Sequence, residues 1–285
     1  MIHTAKCLKV FCLVVGITAC LAAFAAPGLH AQTEQSPAGM SLSGATGLFS
    51  IPSGRIGWDQ STKKILAIDA GYHSIMGDGG ANSIPKVAVS LFNFIELNGA
   101  FDIRQENSRG NDFIAGAKVH IPLAKTALAV GANYQTFKLD GFSVRENAFG
   151  ESVREYAWQF YAAATFAGTF FNMPAETTVV FGSTFINGSA DSNIDFGMGF
   201  QLQLFPSVFE NLLLWVTDFA NFSYSANPYL ADAWHRGILN TGLRVNLSAI
   251  PVFANFRFFA DFMLVDGFDQ NRAFSAGIVF GLPLL

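Results

Sequence analysis

The chain alternates. In Ile194–Leu204, Ile194, Phe196, Met198, Phe200, Leu202 and Leu204 fall on one parity, and Asp195, Gly197, Gly199, Gln201 and Gln203 on the other. In Arg272–Leu285, Phe274, Ala276, Ile278, Phe280, Leu282 and Leu284 oppose Ser275, Gly277, Val279 and Gly281. A period of two places successive side chains on opposite faces, so each stretch reads as a strand with one apolar and one small or polar face.

Twelve such stretches follow one another. They are Lys63–His73, Pro85–Leu91, Phe94–Arg104, Asp112–Ile121, Thr126–Lys138, Tyr156–Phe166, Thr177–Phe185, Ile194–Leu204, Leu212–Tyr224, Ile238–Leu247, Val252–Leu264 and Arg272–Leu285. The ninth has the least readable parity. The connections alternate in kind. Polar loops follow the odd strands: Ser74–Ile84 with its GDGG, QENSRGN, the long Leu139–Glu155, NGSADS, Asn227–Asp232 and VDGFDQN. Short turns, often with proline, follow the even ones: Phe92-Asn93, Pro122–Lys125, Phe170–Pro174, Pro206–Glu210 and Ala249–Pro251. An even strand number with long loops at one end and short turns at the other is the signature of an antiparallel up-and-down barrel in an outer membrane. The expected fold is therefore all-β, a transmembrane barrel of about twelve strands, with ten to fourteen compatible. Both termini then fall on the periplasmic side.

A soluble periplasmic β-sandwich or lipocalin-like barrel would also alternate, with its apolar side chains inside. Two features favour the membrane barrel. The polar parity is rich in Gly, Ala, Asn and Gln and poor in Lys and Glu, as suits a lumen. The apolar parity, repeated over twelve strands, exceeds what a small interior holds. Charge follows the same division: an arginine facing lipid near the midplane costs roughly 2–4 kcal/mol, which turns the charged positions inward. The candidate lumen lining is Asp69, His73, Glu96, Asp102, Arg104, Lys118, His120, Asp195, Arg244, Arg257 and Asp261. Two uses of this set stay open: an ion-pair network filling a narrow barrel, or a lining that sets solute selectivity. Aromatic residues near strand ends (Tyr72, Phe94, Tyr134, Tyr156, Trp158, Phe185, Trp215, Tyr224, Trp234) suit an interfacial girdle.

Composition agrees. The chain is 51% hydrophobic, with 30 Phe and 13% charged residues, yet after the amino-terminal region no run reaches the ~18 apolar residues of a membrane helix. Residues 1–31 read as a secretory signal: Lys6 and Lys9, then the apolar Val10–Ala26, then Leu29-His30-Ala31 before Gln32. Ile17-Thr18-Ala19-Cys20 is also a loose lipobox, so lipidation at Cys20 is an alternative. All 3 cysteines (Cys7, Cys12, Cys20) lie in this stretch, and residues 32–285 offer no disulfide, thiol nucleophile or Cys-bound metal. No G-x-S-x-G occurs, and the scattered Ser and His residues mark out no nucleophile, base and orienting group within mutual reach, so catalysis is not expected, nor are metals or cofactors. The net charge of −4 argues against nucleic acid as partner. The expected partners are outer-membrane lipid, the barrel-assembly machinery that receives the carboxy-terminal strand, and a small polar solute.

Residues 32–62 form a leader, with the barrel over 63–285. Within the leader, Gly44-Ala45-Thr46-Gly47-Leu48-Phe49-Ser50-Ile51-Pro52-Ser53-Gly54-Arg55 suits turns or a plug rather than a strand interior. The pattern Gly44-x-x-Gly47-Leu48-x-x-x-Pro52-Ser53 resembles the opening of YjbH-like outer-membrane proteins. Val89–Ile103, containing SLFNFIELNGAFDI, and Gly116-Ala117-Lys118 with Ala129-Val130-Gly131 resemble the following hairpins. The resemblance implies an outer-membrane barrel and a link to exopolysaccharide production. Two functions remain: a small-solute pore or uptake/export channel, or a closed structural barrel whose loops bind a partner.

Overall fold

In the computed structural model the described residues are 38–58, 65–77, 80–104, 112–123, 126–137, 155–186, 192–221, 237–267 and 272–284. They form a closed antiparallel barrel of twelve strands, each hydrogen bonded to its neighbours in sequence. The strands are β1 Leu66–Gly77, β2 Gly80–Leu91, β3 Ile95–Arg104, β4 Asp112–Pro122, β5 Thr126–Phe137 and β6 Glu155–Phe170. They continue with β7 Met173–Ile186, β8 Ser192–Gln203, β9 Leu213–Ala220, β10 Ile238–Asn246, β11 Arg257–Val265 and β12 Ala273–Pro283. The seam between first and last strand runs from Ala67↔Pro283 to Met76↔Phe274. Closure leaves no edge strand: each strand is paired on both sides, as a bilayer demands.

The period-two pattern sorts side chains as the sequence implies. In β12, Phe274, Ile278, Phe280 and Leu282 are exposed on the outer face while Ser275, Gly277, Val279 and Gly281 are buried inside. In β1, Ile68, Ala70 and Tyr72 face out and Ala67, Asp69 and His73 face in. The outer face is apolar on strand after strand, through Leu97, Phe101, Val119, Trp158, Met198, Trp215, Leu243 and Phe262. An apolar surface of this extent would drive association in water; it fits hydrocarbon. Aromatic rings pair across strands at both ends. Tyr134 lies 5.9 Å from Tyr156 and 5.1 Å from Trp158 at one end, and Phe258 lies 5.3 Å from Phe253 and 5.8 Å from Phe280 at the other. Tyr224 and Trp234 lie outside the described residues.

Several element boundaries differ from the sequence reading. β1 and β2 extend to Gly77 and Gly80, so Ser74–Ile84 is mostly strand, not loop. β6 and β7 run to Phe170 and from Met173, joined by Phe171-Asn172 with left-handed backbone at both residues, so Phe170–Pro174 is a tight turn between two long strands. Val252–Phe256 is not strand. There the chain makes two short 3-10 turns, Leu247–Ala249 and Pro251–Phe253, before β11 begins at Arg257. Pro251 lacks the N–H a ladder requires, and the Asn246 side chain caps the first turn by accepting from Ser248 N–H at 3.2 Å. The Leu139–Glu155 loop lies outside the described residues apart from Glu155, which opens β6.

Residues 38–58 are placed inside the barrel. All but Trp58, which is half-buried, are buried. The segment doubles back on itself through bridges Met40↔Thr46 and Gly47↔Pro52. It contributes Leu42, Leu48, Phe49 and Ile51 to an interior cluster with wall residues such as Ile75, Ile84, Leu214, Val216 and Met263.

Candidate channel interior

The inward parity of each strand brings polar and charged side chains to the lumen, and residues 38–58 meet them there. A peptide inside a barrel without strand partners must satisfy its main-chain groups otherwise. Among the described residues it bonds to itself and to wall side chains. Lys86 Nζ donates to the carbonyls of Met40 and Ser41 at 3.0 and 2.8 Å. Lys118 Nζ donates to Thr46 O at 2.8 Å and Ser53 O at 3.3 Å. Asn98 donates to Ser43 O at 2.8 Å, and His120 Nδ1 lies 2.7 Å from Gly54 O. Arg257 Nη2 donates to Ala38 O, and Arg244 Nη1 to Gly47 O at 3.4 Å.

Carboxylates take the N–H groups. Glu96 accepts from Thr46 N–H at 2.7 Å, from the Thr46 hydroxyl and from Gly57 N–H at 3.3 Å, and it pairs with Lys118 at 3.2 Å. Asp218 accepts from Phe49 N–H at 2.8 Å, Ser50 N–H at 2.7 Å and the Ser50 hydroxyl at 2.9 Å. Thr165 Oγ1 accepts from Gly54 N–H at 2.9 Å. An ion pair also crosses, from Arg55 to Glu176 at 2.6 Å. Trp58 Nε1 donates to Asp69 at 3.2 Å.

Behind this contact layer the wall pairs with itself. Arg244 makes a two-pronged contact with Asp261 at 2.7 and 2.9 Å, and its Nη1 also donates to Gln201 at 3.2 Å. Arg257 pairs with Asp69 at 2.6 Å, and His73 Nε2 lies 3.3 Å from Asp261. Bidentate guanidinium–carboxylate geometry fixes direction as well as charge. The fit against the segment is tight. Gly44 has φ +85° and a Cβ there would press on the Gly99 carbonyl; a Cβ at Gly54 would overlap the Ala127 carbonyl oxygen.

Ten of the eleven sequence-nominated lumen residues are buried in the interior: Asp69, His73, Glu96, Asp102, Lys118, His120, Asp195, Arg244, Arg257 and Asp261. Arg104 ends β3, opposite Asn82 in register; its side chain lies outside the description. Glu96, Lys118, His120, Arg244, Arg257 and Asp69 converge on the segment. Asp102 and Asp195 lie nearer the long-loop end of their strands; Asp102 accepts from Asn82 at 3.3 Å, and Asp195 from Gln159 at 3.0 Å and from Thr184. The sequence reading did not nominate Lys86, Glu176 or Asp218, all buried and all in contact with the segment. Lys86 shares the inward parity of Ala88 and Ser90, a signal that was present. Glu176 fell beside a supposed connection, and Asp218 on the strand of unreadable parity. Among the described residues no group of three His, Cys, Asp or Glu is arranged to hold a metal ion.

No protein-family model matches the chain, and no curated protein matches it. Among solved structures it is similar to the KdgM porin (TM-score 0.48, 7% identity, covering 74% of this chain and 98% of that one). It is also similar to the NanC porin (TM-score 0.45, 12% identity, covering 77% of this chain and 100% of that one). A third is the outer membrane protein Omp33 of Acinetobacter baumannii (TM-score 0.43, 10% identity, covering 79% of this chain and 100% of that one). The likeness lies in the barrel architecture.

Proposed function

We propose that the protein is an outer-membrane channel for small polar solutes, and that residues 38–58 decide whether its lumen conducts. The observation that carries this reading is the way the segment is held: charged and polar wall side chains grip its main chain, and among the described residues no strand pairs with it. A permanently filled interior gains more from apolar packing than from buried charge. Lys86, Lys118, Glu96 and Asp218 are groups that water solvates well once the segment leaves. An emptied lumen would thus be lined by these polar and charged groups, beside an apolar wall patch of Ile75, Ile84, Leu214, Val216 and Met263. The short turns, the start of β1 and the end of β12 share one end of the barrel, which by the usual orientation faces the periplasm. The carboxy-terminal β12 is the strand presented to the assembly machinery. The resemblance of Gly44–Ser53 to YjbH-like proteins supports an outer-membrane barrel and carries no solute with it.

The test is planar-bilayer conductance and proteoliposome flux with the full-length protein. Discrete current steps and uptake of small sugars or amino acids are expected. A protein that seals bilayers at every voltage, with no flux, would instead be the closed, surface-interaction barrel.

A further inference from the structure

The lumen is electrically lopsided. Strands β5 to β9 contain no Lys, Arg or His at all. The strand-borne cations lie on the other side, on β1–β4 and on β10 and β11: Lys86, Lys118, Arg244 and Arg257 among them. Three buried carboxylates face the lumen from the cation-free side, on three adjacent strands: Glu176 on β7, Asp195 on β8 and Asp218 on β9. The register sets them as a rising strip. Glu176 stands opposite Gln201, and Asp218 opposite Gly199. Asp195 lies four residues further along β8 from Gly199, about 13 Å toward the long-loop end.

What occupies this strip identifies the chemistry it takes. Residues 38–58 carry a single charged side chain, Arg55, and its guanidinium sits on Glu176 at 2.6 Å. Asp218 holds two N–H groups and a hydroxyl of the same segment. Asp195 is fully buried, and its Oδ1 has no hydrogen-bond partner among the described residues. One side of the interior thus presents carboxylate oxygens to donors, filled by a guanidinium at one point and with an acceptor to spare at another.

Resting on the channel reading above, we infer that the conducting state selects cationic solutes, and that a guanidinium or ammonium group of the solute takes the place of Arg55 at Glu176. With the segment displaced, the strip lies within about one Debye length of ions passing through the lumen. On the opposite wall Lys118, Arg244 and Arg257 remain paired with Glu96, Asp261 and Asp69, while Lys86 exchanges the segment's carbonyls for water.

The test is the reversal potential of the full-length protein in a KCl gradient, with guanidinium chloride as the competing probe. Wild type is expected to favour K⁺ over Cl⁻ several-fold. E176Q and D195N, made separately and together, should bring the ratio toward unity. Millimolar guanidinium should slow K⁺ current in wild type and less so in E176Q. Each variant is first checked for the gel-mobility shift of a folded barrel, and the single D195N, close in shape to wild type, stands in if the double variant does not fold. Current without cation preference, or a preference that both variants leave unchanged, would overturn the inference while leaving the channel intact. Absence of any current from wild type would overturn the channel reading, and this inference with it.

Discussion

At the scale of single residues, the interior is held by side chains that serve two masters. Glu96 joins the segment, through Thr46 and Gly57, to the wall cation Lys118. Removing its charge leaves a buried ammonium with only carbonyl partners among these contacts, and breaking a buried pair from one side costs about 3 kcal/mol. Glu96→Gln is therefore expected to lower the urea midpoint of unfolding in lipid vesicles with little change in the slope of the transition. Gly54 acts differently. Gly54→Val cannot be seated beside the Ala127 carbonyl and Thr165 without shifting the segment. The expected outcome is a raised open probability in bilayers from a barrel that still folds. Much of this layer was legible: inward parity alone nominated Glu96, Lys118, Arg244 and Arg257. What sequence could not supply was which inward residues meet one another, since Glu96 and Thr46 are brought together by the folding of the segment, not by any local pattern.

At the scale of elements, alternation located the strands because a lipid-facing and a lumen-facing side chain obey opposite rules. It failed where those rules relax. β9 was hard to read because its inner face carries Leu214 and Val216, which pack on the segment's apolar side chains; both faces are then greasy. Val252–Phe256 kept the alternation without being strand, because a turn at the membrane border favours exposed apolar and aromatic residues as a strand does. Elsewhere polar letters at Ser74, Asn82 and Ser83 hid strand that continues beyond the apolar run. The lipid-facing assignment has a direct test. Ile278 lies mid-strand on β12, opposite Tyr72 and Ala260, and is exposed on the outside. Ile278→Arg is expected to reduce folding stability in vesicles by about 2–4 kcal/mol, while Ile278→Leu stays near wild type. Equal stability of the two variants would mean that this face does not meet hydrocarbon.

For the whole molecule, closure and filling make one object. The β1–β12 seam ties the first strand to the last, and residues 38–58 reach wall groups on nine of the twelve strands, from Asp69 on β1 to Arg257 on β11. A closed ladder of this kind resists detergent, so unboiled protein should migrate differently from boiled protein on a gel. The even strand number and the glycine- and proline-rich leader were readable in advance. The leader's path was not, because its ligands are scattered over the barrel sequence and each is an ordinary inward residue on its own strand.

The most direct test of the account is to lock the segment in place. Ser50 and Asp218 carry short side chains whose oxygens lie 2.9 Å apart, and residues 32–285 contain no native cysteine to compete. With Ser50→Cys and Asp218→Cys in the full-length chain, single-channel current is measured before and after reduction, with the cross-link verified on a gel. The account predicts silence in the oxidised protein and current steps on reduction. Equal current in both states, with the cross-link formed, would show that solutes pass without the segment moving and would contradict it.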